Sequence, residues 1–131
     1  MAYKFWGMSV ALLLPILPMQ TQAMGYSSNY AVCMSSAGIS NNNSASCMSD
    51  ELKAQDKRVK SYFNIILSQY TADERKAKKK TQKQWFDFRD KSCDENNQSI
   101  SIAHKSRYLS CALKMTVQHG NMLEKQSYRY R

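Results

Sequence analysis

Between Arg75 and Lys83 the chain reads Arg-Lys-Ala-Lys-Lys-Lys-Thr-Gln-Lys, six cations in nine residues. That density suits the capture of an anion. On a helix Lys79, Lys83 and Phe86 project to one side, and an aromatic ring among cations could grip an anionic partner, a sugar or a base face. The competing reading is a solvated face with Phe86 packed under a neighbouring helix. Just beyond lie Trp85, Phe88, Arg89 and Asp90, which offer either a recognition patch or a core tryptophan flanked by an ion pair. The W-x-x-F spacing places Trp85 and Phe88 on one inner stripe, together with Ala77, Thr81 and Gln84. Asp56 would face Arg89 if two antiparallel helices meet at a turn between them.

A third candidate is the segment Gly38 to Ser46, which reads GISNNNSAS and lies between Cys33 and Cys47. A Cys33–Cys47 bridge would close it as a polar loop and present Ser40, Asn42 and Ser44 rigidly, reducing the ordering entropy lost on binding. Equally, it could be a plain linker stapled for stability. Chemistry of other kinds finds little support. No G-x-S-x-G and no metalloprotease histidine pair occur, and there are only two histidines. Asp87 and Asp90 share a helix edge, but cationic surroundings keep both ionised and unsuited to acid catalysis. The reading is therefore not an enzyme, with no cofactor and no metal.

Four cysteines, Cys33, Cys47, Cys93 and Cys111, allow three pairings into two disulfides. A metal site would need a C-x-x-C, and His104 and His119 lack ligand spacing. Thiol-redox chemistry fails on the same missing motif. The pairing 33–47 with 93–111 would brace the loop and pin a third helix, while Cys47–Cys93 across the ends of a hairpin is the rival.

These residues must be held by a small scaffold. The chain has 131 residues, 19 Lys+Arg against 10 Asp+Glu, and a net charge of +9. Hydrophobic residues make up 43%, enough for one modest core and too many for a disordered polycation. Residues 1–23 have the order of a secretory signal peptide: one cation at Lys4, the apolar run Gly7 to Leu17, then Thr21-Gln22-Ala23. The run is too short to span a bilayer. The mature chain should begin near residue 24 or 26, in an oxidising compartment, periplasmic or secreted, with no stable membrane insertion.

Three helices are expected beyond it. Met48, Leu52, Val59, Tyr62, Phe63, Ile66 and Tyr70 recur at three- and four-residue steps, with Lys53, Lys57 and Lys60 outside their arc. Asp73 and Glu74 suit the start of a second helix running to about Cys93. Ile102, Leu109, Leu113, Thr116, Gly120 and Leu123 mark a third, followed by a frayed tail from Ser127. The expected fold is all-α: a long antiparallel hairpin plus a third packed helix, stapled by two disulfides.

The run Trp85-Phe86-Asp87-Phe88-Arg89-Asp90-Lys91-Ser92-Cys93 resembles the W-x-x-[FY]-R-D-x-x-C signature of the LprI-type family, named for a lysozyme inhibitor. Upstream, Cys47 to Asp56 is similar to that family's C-x-x-x-E-L-x-x-x-D. Downstream, Cys111 and Thr116 resemble its C-x4-T segment. The family commonly has Gly-Gly-Ser before the third helix, where this chain has Gln98-Ser99-Ile100-Ser101, and an arginine where this chain has His119. The resemblance implies a helical domain over residues 29–126. It also implies a partner, lysozyme or another cell-wall hydrolase, whose acidic cleft would be occluded. The alternative drawn from charge alone is an envelope-associated module that binds anionic polymers through the basic face of the second helix. No specific nucleic acid is implied.

Overall fold

The computed structural model describes residues 25–130. The export address expected at residues 1–23 lies outside them. Four helices follow in order, α1 Ser28–Ala37, α2 Asn41–Leu67, α3 Ala72–Ser92 and α4 Ile102–Ser127. No strand occurs among the described residues, and the disulfides are Cys33–Cys47 and Cys93–Cys111.

α2 and α4 form the centre and run parallel, because α3 returns the chain between them. Met48 and Leu52 pack with Leu109 and Leu113 in one cluster, and Val59 and Ile66 pack with Leu123 in the next. At Gly120 the two helices come so close that a Cβ would sit 2.8 Å from an Arg58 nitrogen and 3.5 Å from Val59. That approach explains why a poor helix former occupies mid-α4. α3 runs antiparallel to both. On α4, Cys111, Thr116 and His119 meet α3.

Each helix start has a local reason. Ser40 caps α2 by accepting from the Asn43 N–H at 3.4 Å, and Ser101 caps α4 by accepting from the His104 N–H at 3.3 Å. At α3 the Glu74 carboxylate accepts from both the Thr71 N–H, 2.9 Å, and the Thr71 hydroxyl, 2.8 Å. These bonds hold Glu74 below the usual carboxylate range. The acid pair Asp73-Glu74 thus performs the helix-starting role its position suggests.

The structure departs from the sequence expectation at four points. First, α1 was not foreseen; its apolar residues follow no stripe, and only Ala37 is fully buried. Ser27, its cap, binds Glu51 of α2 through its N–H at 2.8 Å and also through its hydroxyl. The chain enters through Gly25, at φ 103°, where a Cβ would meet Asn121 at 2.5 Å. Second, the polar loop expected at Gly38 to Ser46 does not exist. Gly38, at φ 59°, ends α1, and α2 begins at Asn41, leaving a three-residue turn. The asparagine run reads as a breaker, but the Ser40 cap turns it into the first turn of a helix.

Third, the inner stripe of α3 is Gln82, Trp85, Phe86 and Arg89, whereas Ala77, Thr81 and Gln84 are exposed and Phe88 is 59% exposed. The buried arc is rotated because an arginine lies at its centre. Fourth, Ser127 is no frayed end: it is fully buried and donates to the Glu124 carbonyl at 2.7 Å.

Candidate functional site

The signature residues converge where α2, α3 and α4 meet. Arg89 is 5% exposed, and its guanidinium reaches Asp56 at 2.7 Å, Asp90 at 2.7 Å and the Thr116 hydroxyl at 2.9 Å. The Thr116 hydroxyl donates to the Ala112 carbonyl at 2.7 Å, and the Tyr108 hydroxyl donates to Asp90 at 3.1 Å. Burial opposes the charge on Arg89, but Asp90 and Asp56 outweigh it and its pKa is raised. Burial, reinforced by Asp90, pushes the Tyr108 hydroxyl up to about 12. The foreseen Asp56–Arg89 pair is thus present, as the middle of a three-helix junction.

The aromatic residues close this junction rather than open it to a ligand. Phe86 is half-buried against Val59, Ile66 and Leu123, and the Arg89 guanidinium lies 5.0 Å from its ring centre. Phe86 is therefore not the exposed partner of Lys79 and Lys83. Trp85 stacks on His119 with ring centres 3.9 Å apart, and His119 Nε2 meets Gln82 Oε1 at 3.1 Å. Burial pushes His119 down to about 4, so it is neutral near pH 7. An arginine at this place could not stack on Trp85 inside the seam without carrying its charge there. The junction fixes α3 to the other helices.

Sequence reasoning missed a second junction. Arg58 of α2 pairs with Glu124 of α4 and also binds Asn121 at 2.8 Å, while the Tyr62 hydroxyl donates to Glu124 at 2.7 Å. The Tyr62 bond, with those from Arg58 and Tyr128, holds Glu124 below the usual carboxylate range. Arg58 and Glu124 also line an open groove of about 620 Å³ with Met122, Lys125 and Tyr128. The only sequence signal was a 62- to 66-residue separation between polar partners, which no periodicity can register.

What remains exposed is the first half of α3. Every residue from Thr71 to Thr81 is exposed. The segment is helical through its capped start and its strong helix formers, Ala, Arg, Lys and Gln. Lys83 pairs with Asp87 at 2.8 Å across one turn, and Lys78 lies 4.8 Å from the Tyr70 ring centre. Lys76, Lys79 and Lys80 have no ion-pair partner among the described residues.

The other candidate set sits elsewhere. Ser40 is occupied as a cap, Ser44 is half-buried, and Asn42 is exposed in the first turn of α2. These residues lie at the opposite end of the bundle from the start of α3. With 27 residues in α2 and Lys79 two turns back along α3, about 30 Å of helix axis separates Lys79 from Ser40. The two sets cannot share one cleft. Beside Ser40, Ile39 stands 103% exposed at the tip of the turn, braced by Cys33–Cys47.

Among the described residues no helix is long and apolar enough to cross a membrane. No curated protein and no solved structure matches the chain. The family model described as lysozyme inhibitor LprI matches residues 33–122, from the first cysteine of α1 almost to the end of α4. This chain belongs to the LprI lysozyme-inhibitor family.

Proposed function

We propose that this protein is an exported, non-catalytic inhibitor of lysozyme-type cell-wall hydrolases that works by occluding their acidic cleft. Family membership supports the partner class, and two disulfides fit an oxidising compartment. The observation that carries the reading is the exposed, cationic first half of α3, fixed to the bundle by the Arg89 junction. A glycosidase cleft holds two carboxyl groups about 5–9.5 Å apart. Lys79 and Lys83, one helical turn apart, place their Cβ atoms about 6 Å from each other. Two ammonium groups on that spacing meet two carboxylates, with Lys83 exchanging its surface partner Asp87 for one of them. Because the helix is already formed, little ordering entropy is lost on docking.

Charge also selects among hydrolases. A strongly basic partner would be repelled at a distance, and encounter would lack steering. An acidic hydrolase is the better complement. The test is a cell-wall lysis assay with lysozymes of several classes, with and without the purified mature protein. Inhibition of at least one class at micromolar protein is expected; inhibition of none overturns the reading. Lys79→Glu with Lys83→Glu should abolish it. If that variant inhibits normally, the contact moves to the Ser40–Asn42–Ser44 end, where Ile39 supplies an apolar tip.

A further inference from the structure

The charge on α3 is arranged as well as dense. At 100° per residue Lys76, Lys79, Lys80 and Lys83 fall within an arc of about 100°, over about 10 Å of axis. Ion pairs form at Lys53–Asp50, Arg58–Glu124 and Arg89–Asp56, and among the described residues the cations without one outside α3 are spread mostly along α2 and α4. Between Glu74 and Asp87, by contrast, twelve residues carry six cations and no acid. Lys83 meets Asp87 at the end of the strip, while Lys76, Lys79 and Lys80 raise the local potential and are left to be neutralised from outside.

We infer that this strip is a docking surface for a flexible linear polymer of phosphates, independent of any hydrolase. The occupant follows from what the strip has and lacks. Lysine takes phosphate oxygens as a point charge, without the planar fork that arginine brings to directed recognition. No large apolar residue occurs from Ala72 to Gln84, so nothing can enter a bilayer beside the charges. No aromatic face lies on the strip to stack a base: Phe86 is half-buried beside Arg89, and the exposed Phe88 is about 130° round the helix from the strip's centre. What is left is a row of hydrated charges about one turn apart, which a flexible backbone bearing regularly spaced phosphates can follow.

Counterion release gives the size of the effect. Four phosphate contacts to a flexible strand give a slope of log K against log salt of about −2.8, so affinity falls about fifty-fold between 50 and 200 mM salt. The probe is inorganic polyphosphate, titrated into the purified mature protein across that salt range. Replacing Lys76, Lys79 and Lys80 by Gln should reduce the slope to about −0.7 and the fall to about threefold. The comparison variant replaces Lys105, Lys114 and Lys125 of α4 by Gln, an equal loss of charge on another helix, and should keep the parent slope. Far-UV circular dichroism checks that both variants are folded. Absence of binding at 50 mM salt would overturn the inference, as would equal losses in the two variants. So would equal affinity for polyglutamate of the same charge, or for anionic phospholipid vesicles.

Discussion

Arg89→Met tests the claim that the signature residues are a structural junction. The substitution keeps an unbranched aliphatic stem and removes the charged guanidinium, which lies 5.0 Å from the Phe86 ring centre. It leaves Asp56 and Asp90 without their cation, and the Thr116 hydroxyl oxygen without the Arg89 N–H that donates to it at 2.9 Å. Breaking a buried pair by removing one partner costs about 3–5 kcal/mol. The two carboxylates retain 30% and 24% side-chain exposure, so water recovers part of that cost and the lower end applies, about 3 kcal/mol. For a domain of this size that lowers the melting temperature by about 12–20 °C. Urea and thermal unfolding of the purified protein, followed by far-UV circular dichroism, would measure it. High salt should not mimic the substitution, because Arg89 is 5% exposed and screening acts on exposed pairs. In a double-mutant cycle, Asp56→Asn should cost less on the Arg89→Met background than alone. A loss below 1 kcal/mol for Arg89→Met would refute the reasoning and return Arg89 to the candidates for partner contact.

Other outcomes follow from the same structure. His119 has its pKa lowered by burial from 6.5 to about 4, so the unfolded chain takes up a proton that the folded chain resists. Stability should be full above pH 6.5 and fall by roughly 1–2 kcal/mol towards pH 4, after allowance for partial solvent screening. His119→Phe, which keeps the Trp85 stack, should flatten that limb of the pH–stability curve. Replacing Cys33 and Cys47 by Ser should cost about 2–3 kcal/mol through unfolded-chain entropy. Limited proteolysis should then cut first within α1, where only Ala37 is fully buried. Phe88→Ser should change stability by less than about 0.5 kcal/mol, whereas Phe86→Ala should lose about 2 kcal/mol; equal effects in urea would contradict the observed rotation of α3.

Helix phase was legible in α2 because its apolar residues are large and regularly spaced. Met48, Leu52, Val59 and Ile66 are all buried, while Lys53, Lys57 and Lys60 are exposed. The Asp56–Arg89 contact was legible for a different reason: the two residues lie at similar distances either side of a short turn, and an antiparallel hairpin brings equal levels together. In α3 the rule failed. The helix is so polar that the few apolar residues fix its phase poorly, and the buried centre is an arginine satisfied by three partners. Pattern reasoning treats charge as outward, so it rotated the helix towards Phe88. α1 was invisible because a disulfide, a cap bonded to Glu51 and the packing of Tyr26 and Tyr30 hold it in place of periodic burial. The asparagine run was misread because the same residues that break a helix also begin one.

This division bears on what family membership can mean for function. Of the residues that carry the resemblance, Trp85, Arg89, Asp90, Cys93, Asp56, Cys111 and Thr116 lie in the interhelical contacts that hold α3, Cys47 and Glu51 tie α1 to α2, and Phe88 is exposed. The buried ones specify a scaffold, and Phe88 is the signature residue left on the surface. The candidates for partner contact lie mostly outside the signature, at two ends of the bundle: the lysines from Lys76 to Lys83 on α3, and Ile39 with Asn42 beside the Cys33–Cys47 bridge. A surface substitution at either end should change binding and spare stability, while a substitution at a buried signature residue such as Arg89 should change stability first. Inhibition measured beside melting temperature in the same variants separates the two. If Arg89→Met lost inhibition without losing stability, the signature itself would be the contact, and the first half of α3 would be only a solvated helix.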